Sequence, residues 1–158
     1  MLFVSLGKGK FAIIDDDEVQ RVLQYKWHCT SDGYAASDSE RNGRGSTPIY
    51  MHRLILDAPA GKRVDHINGD CLDNRKENLR LATHAENLRN RPKSRNNSTG
   101  YKGVHRMRTK WRTQITIDGK KQHLGSFINK EDAARAYDAA ARISHGEFAR
   151  LNFPDETA

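Results

Sequence analysis

The chain has 158 residues with 27 Lys and Arg against 20 Asp and Glu, a formal net charge of +7 and a pI near 9.6. That length holds one ordinary domain or two small ones, and the charge points to a polyanionic partner. Two cysteines, Cys29 and Cys71, exclude a disulfide framework and a CxxC zinc clamp, and no apolar run approaches the ~18 residues of a membrane span.

The charge is unevenly placed. Residues 1–60 carry seven Lys/Arg and eight Asp/Glu, a net of −1; residues 61–158 hold the other twenty and twelve, a net of +8. Between Asn87 and Ile117 there is no acidic side chain, against nine basic ones. Such segregation marks a nucleic-acid footprint better than pI alone. The start of the chain lacks a secretory layout, and the sparse cysteines suit a reducing compartment. A soluble cytoplasmic protein is expected.

In chain order, residues 2–6 and 10–14 read as strands bracketing Gly7-Lys8-Gly9, a hairpin signal. Asp15–Glu18 supplies negative charge where a helix begins, and Val19, Val22, Leu23 and Trp27 follow at helical spacing. The first sixty residues therefore read as short strands around one helix. Residues 37–48 form a polar, Gly-rich loop, and residues 49–56 are an apolar, buried segment holding His52, read as a structural histidine. Residues 64–67 alternate as a strand, Asn68-Gly69-Asp70 is turn chemistry, and residues 79–82 alternate again. Thr83 with Glu86 makes a capping box, so a helix begins at His84 with Asn87 in its first turn.

These residues carry chemistry. Cutting a phosphodiester needs a water made nucleophilic and relief of charge on the phosphate. A histidine near its ordinary pKa of ~6.5 serves as base, and a cation held by one or two protein oxygens keeps positions open for the phosphate. His66 is assigned as general base, Asp65 and Asn87 as ligands of a divalent cation (Mg²⁺ or Mn²⁺), and Asn78 as the brace of the loop that orients His66. His84, one helical turn before Asn87, is the alternative second ligand. Adjacent strand residues point to opposite faces, so Asp65 and His66 share one site only where the strand ends or bulges.

Asp65-His66, Asp73-Asn74, Asn78-Leu79-Arg80 and Asn87, with Met51-His52-Arg53-Leu54 and Trp27…Gly33-Tyr34-Ala35 upstream, resemble the HNH nucleases of ββα-metal fold, in particular homing endonucleases of phage and intron type. The resemblance covers about residues 1–90. Many members carry His where this chain has Asn87, giving an H-N-N version here. The resemblance implies metal-dependent DNA cleavage, and without the CxxC pairs of some relatives no structural zinc is expected.

Residues 91–98 lack periodicity and read as a flexible basic linker. Beyond them, residues 101–106, 111–117 and 121–124 read as strands, with Asp118-Gly119 turning between the last two. Asn129 with Asp132 caps a helix over residues 130–144 that ends at Gly146, its buried face Ala133, Ala134, Tyr137, Ala140 and Ala141. Alternation puts Arg112, Gln114 and Thr116 on one sheet face, opposite Trp111, Thr113, Ile115 and Ile117. Lys121 and His123 join the polar face, and Lys102, His105, Arg106 and Arg108 are available from the first strand. Such a face can dock into the major groove as a β-ribbon does.

Tyr101-Lys102-Gly103-Val104, Trp111, Leu124-Gly125-Ser126-Phe127, the run 131–140 and Leu151-Asn152-Phe153-Pro154 are similar to the AP2/ERF DNA-binding domain. That family reads DNA with its sheet, largely through Arg and Trp. Several of those arginines are replaced here, so its target is not carried over. The expected fold is α+β: an HNH ββα-metal module over 1–90, a linker over 91–98, and over 99–154 an AP2-like three-stranded antiparallel sheet on one helix. The expected function is a DNA endonuclease of homing type that nicks double-stranded DNA as a monomer or weak dimer. The rivals are a non-catalytic DNA-binding regulator with a degenerate nuclease module, and an RNA-binding protein. The second suffers from the lack of exposed stacking aromatics, Tyr101 and Trp111 being better explained as core.

Overall fold

The computed structural model describes residues 1–38 and 47–156, so most of the polar loop expected over 37–48 lies outside the described residues. The chain divides into two compact units, Met1–Asn87 and Leu88–Ala158.

The first unit opens with the hairpin of β1 (Leu2–Ser5) and β2 (Phe11–Ile14), Leu2 opposite Ile14. A short 3₁₀ turn, Asp16–Glu18, leads into α1 (Val19–Val22), which is shorter than the helical spacing suggests. It stops because Trp27 folds back into the core, where its indole Nε1 donates to the Val22 carbonyl at 2.8 Å. A three-stranded antiparallel sheet follows: β3 (His28–Cys29), β4 (Ala35–Ser37) and β5 (Ile49–Tyr50). The expectation of one helix in this region is corrected by α2 (Met51–Ile55). Met51 and Ile55, four residues apart, reach the core from one side of that helix. Arg53 fastens it by donating to the carbonyls of Lys62 (2.7 Å), Ala58 (2.9 Å) and Pro59 (3.0 Å).

The pair β6 (Arg63–His66) and β7 (Leu79–Ala82) is antiparallel, and α3 (His84–Asn90) follows directly. The capping box is complete: Glu86 Oε2 accepts from the Thr83 amide at 2.7 Å, and Thr83 Oγ1 accepts from the Glu86 amide at 3.2 Å. Val4, Ile14, Val22, Met51, Val64 and Leu79 belong to one core that ties the hairpin, α1, α2 and the β6–β7 pair together. Each such side chain fully removed from water contributes about 1.5–3 kcal/mol.

The second unit is a meander of β8 (Val104–Met107), β9 (Lys110–Ile117) and β10 (Lys120–Phe127), covered on one face by α4 (Lys130–His145). The first strand starts three residues later than its sequence suggests, because Tyr101-Lys102-Gly103 turns and Gly103 holds φ +78°. The last strand runs on to Phe127 across an irregularity between His123 and Gly125. Ala133, Ala134, Tyr137 and Ala141 are buried, which lets α4 lie close to Val104 and Ile115. Thr113 Oγ1, fully buried, donates to the Ala133 carbonyl at 2.8 Å. At the helix start Asn129 does not cap the backbone; its amide donates to the Asp132 carboxylate at 3.3 Å instead.

Residues 91–98 fall within the second unit. Asn97 Oδ1 accepts from the Thr99 and Gly100 amides, and its Nδ2 donates to the Tyr101 carbonyl at 2.8 Å. No helix among the described residues is long and apolar enough to cross a membrane.

Candidate functional site

The register of β6 and β7 sets Asp65 opposite Arg80 and His66 opposite Leu79. Directly opposed residues share a face, and neighbours along a strand do not. Arg80 Nε and Nη2 reach Asp65 Oδ2 at 2.9 and 2.8 Å, a buried ion pair on one face. His66, 5% exposed, turns to the other face with Leu79 and Val64. The carboxylate and the imidazole thus stand on opposite sides, at the last two residues of the strand. A substrate group would have to straddle that strand end to meet both.

His66 is held from its own face. Its Nε2 lies 3.4 Å from Asn74 Oδ1, and Asn74 Nδ2 donates to the Leu72 carbonyl at 3.1 Å. With the carboxamide so oriented, an oxygen acceptor faces Nε2, which places the ring proton there and makes Nδ1 the basic nitrogen. Burial pushes the His66 pKa below its ordinary value, opposed by the Asn74 contact and the charges of Asp65, Asp70 and Asp73. The imidazole is therefore neutral at pH 7, the form a general base requires.

Asn78 closes the loop after His66. Its Oδ1 accepts from the Asn68 amide at 2.9 Å, its Nδ2 donates to the Asp73 carbonyl at 2.7 Å, and its carbonyl accepts from the Ile67 amide at 2.8 Å. Asp73 adds a fork to Arg75, accepting from Nε at 2.8 Å and Nη2 at 2.7 Å, and accepts from Asn68 Nδ2 at 2.9 Å. The loop is also docked on β2: the Ile13 amide donates to the Leu72 carbonyl and the Asn74 amide to the Ile13 carbonyl, both at 2.8 Å.

A cluster of rings backs His66. His52 meets it edge-on at 5.2 Å between ring centroids, and Tyr34 lies 6.0 Å from His66 and 5.3 Å from His52. Burial, with His66 and Arg53 nearby, pushes the His52 pKa down to about 3, so this ring stays neutral. Its Nδ1 is buried without a hydrogen-bond partner among the described residues. Read from sequence as structural, His52 packs directly on the candidate base. The contact joins residues fourteen apart on different elements, which no local pattern reveals.

Asn87 is the fourth residue of α3, half-buried, its amide donating to the Thr83 carbonyl at 3.1 Å; His84 is exposed at the helix start. Asp65 and Asn87, the two expected ligands, each carry a side-chain oxygen, the donor type that suits a hard divalent cation. Among the described residues, no three His, Cys, Asp or Glu side chains cluster as a metal site. Cys29 and Cys71 are free, partly buried thiols.

In the second unit the register sorts the predicted contact residues. His105 stands opposite Arg112, His123 opposite Gln114, and Lys121 opposite Thr116, so these six share the face away from α4. Met107 and Lys110, opposite one another, and Ser126, opposite Arg112, extend it. Extending the alternation of β9 back by two residues would have found Lys110. Three expected members lie elsewhere. Arg106 pairs with Trp111 on the opposite face, its guanidinium 5.9 Å from the indole centroid. Arg108 sits at φ +51° in the turn between β8 and β9. Lys102 precedes the sheet, and its ammonium donates to the carbonyls of Arg89 at 2.5 Å and Arg91 at 2.7 Å. Burial, with Arg150 adding to it, pushes the Lys102 pKa down to about 8.

Comparison with known proteins agrees with both halves. The profile of the HNH endonuclease family matches residues 50–89, which include α2, β6, β7 and most of α3. An uncharacterized HNH endonuclease of Acanthamoeba polyphaga mimivirus is 32% identical over 149 residues, covering 92% of this chain and 76% of its own length. Protein 3.8 of Escherichia phage T7 is 36% identical over 95 residues, 59% of this chain and 78% of that protein. An ethylene-responsive transcription factor of Arabidopsis thaliana is 44% identical over 68 residues, 40% of this chain and 36% of the plant protein. The viral match spans nearly the whole chain and the profile covers both Asp65-His66 and Asn87, so this chain belongs to the HNH endonuclease family.

Proposed function

We propose that this protein is a metal-dependent DNA endonuclease of homing type, whose first unit hydrolyses a phosphodiester and whose second unit binds the target duplex. The observation that carries the reading is the His66 imidazole at the end of β6, kept neutral at pH 7 by burial and held through its Nε2 against the Asn74 Oδ1 acceptor. His66 takes the proton of the attacking water at Nδ1, and Asn74 holds the ring in that tautomer. Asn78 keeps the loop closed behind it, and Asp65 with Asn87 holds the cation (Mg²⁺ or Mn²⁺). When bound by these residues, such a cation would supply Lewis-acid relief of the negative charge that builds up in the reaction. Arg80 orients the Asp65 carboxylate. With one such site per chain, a monomer or weak dimer in the cytoplasm nicks one strand of a double-stranded target per encounter.

The sheet face with Arg112, Gln114, Thr116, Lys121, His105 and His123 contacts that duplex, and basic residues of the 87–117 stretch neutralise phosphates with strong salt dependence. The test is a supercoiled plasmid library carrying random inserts, incubated with the protein and Mg²⁺ or Mn²⁺. Relaxed circles appear in the wild type and disappear with chelator and with Asp65→Ala. Relaxation that survives both defeats the reading. The engagement of Asp65 with Arg80, away from His66, favours one alternative, a DNA-binding regulator with a silent nuclease module. That reading predicts tight DNA binding with no relaxation on any insert.

A further inference from the structure

We propose that Gln114 is a base-reading residue of the second unit, selecting an A·T pair through a carboxamide held ready by His105. The inference rests on the reading of this sheet face as the duplex contact. Gln114 lies in β9, the middle strand, with His123 directly opposite on β10 and His105 diagonally across on β8. It is half-buried where Arg112, Thr116, His105 and His123 around it are exposed. It therefore sits at the centre of the face, where a docked groove floor would come closest. Its amide nitrogen lies 3.0 Å from His105 Nε2. A carboxamide nitrogen only donates, so His105 presents its lone pair at Nε2 and carries its proton at Nδ1.

That bond leaves the carboxamide one N–H donor and its Oε1 acceptor. Side by side these match the N7 acceptor and N6 donor of adenine in the major groove, whereas guanine presents two acceptors and would set O6 against Oε1. The strand beneath is also fixed. The Gln114 amide donates to the Gly103 carbonyl at 3.0 Å, and Gly103 approaches the Tyr137 ring so closely that a Cβ there would lie 2.1 Å from a ring carbon. A side chain pre-bonded to a neighbour on a fixed strand loses less freedom on binding than a solvated glutamine. Two histidines beside it and a single arginine on the same strand face mark this surface as other than an arginine-only reader.

Binding-site selection from a random duplex library tests this, using the full chain in chelator so that the DNA stays uncut. The wild-type motif is expected to hold one A·T position that Gln114→Arg converts to G·C, and Gln114→Ala is expected to flatten that position by about tenfold in preference. An unchanged motif in both variants overturns the proposal, and so does the absence of any enriched motif. An Arg112→Ala/Lys121→Ala chain separates this from the reading beneath it. If that chain loses affinity while the Gln114 variants keep the wild-type motif, only the role of Gln114 falls. If its affinity matches wild type across a salt titration, the sheet leaves the interface and the proposal falls with it.

Discussion

Replacing Gly103 with alanine is expected to be among the most damaging single-methyl changes in the second unit. A Cβ at this position would meet Tyr137 Cδ2 at 2.1 Å, Cε2 at 2.5 Å and the Gln114 carbonyl oxygen at 2.9 Å. Neither neighbour yields easily. Tyr137 is buried between α4 and the sheet, and the Gln114 carbonyl is part of the β9 backbone. The backbone at Gly103 also holds φ +78°, a left-handed conformation that costs a side-chain-bearing residue about 1–2 kcal/mol. Forcing a methyl into a filled core adds about 1–3 kcal/mol. Gly119 supplies the control, with φ +76° and nothing within 4 Å of an added Cβ. Gly103→Ala should therefore cost about 2–5 kcal/mol and Gly119→Ala only the conformational 1–2 kcal/mol. Urea unfolding followed through the indole proton resonance of Trp111, which sits in the second unit, measures both. Equal losses would refute the argument that Tyr137 occupies the space beside Gly103.

Asn78→Ala should lower stability by about 1–3 kcal/mol, because Asn78 is buried and its carboxamide bonds the Asn68 amide and the Asp73 carbonyl, the latter within the buried part of the loop; urea unfolding checks it, and a loss under 0.5 kcal/mol would show that the loop does not depend on this residue. His52 has a folded pKa of about 3 against an ordinary 6.5, so the unfolded chain binds the extra proton between these values. Its contribution is fully present above pH 6.5 and is lost as pH falls toward 3, at about 1.4 kcal/mol per unit at most. His52→Phe removes that dependence and the unpaired Nδ1, so melting temperatures at pH 7.5 and 4.5 should differ less in the variant than in the wild type. A larger difference in the variant would mean that His52 is not buried as a neutral ring.

Much of this fold is legible because its signals are local. The Thr83–Glu86 box, the Asp118-Gly119 turn, the alternation of β9 and the alanine face of α4 each lie within a few residues of chain, and each stands where the pattern puts it. What the sequence hides depends on register and on distant contacts. Whether Arg106 shares a face with Arg112 is decided by the turn at Arg108, which sets Arg106 opposite Trp111. Lys102 looks like part of a basic strand, yet its ammonium serves carbonyls at Arg89 and Arg91. Residues 49–56, which contain α2, are apolar at every position but His52 and Arg53, so periodicity cannot tell helix from strand there. In the candidate site the residue types can be read from the chain. The Asp65–Arg80 pair and the His52–His66 contact cannot, since both follow from how separate elements meet.

If His66 is the base that activates water, as proposed, the decisive comparison is the plasmid relaxation rate of His66→Ala against wild type at matched cation and folded fraction. Loss of a positioned general base should slow the reaction about 10²–10⁴-fold, with DNA affinity in chelator unchanged. A His66→Ala rate within threefold of wild type, still abolished by chelator, would contradict it.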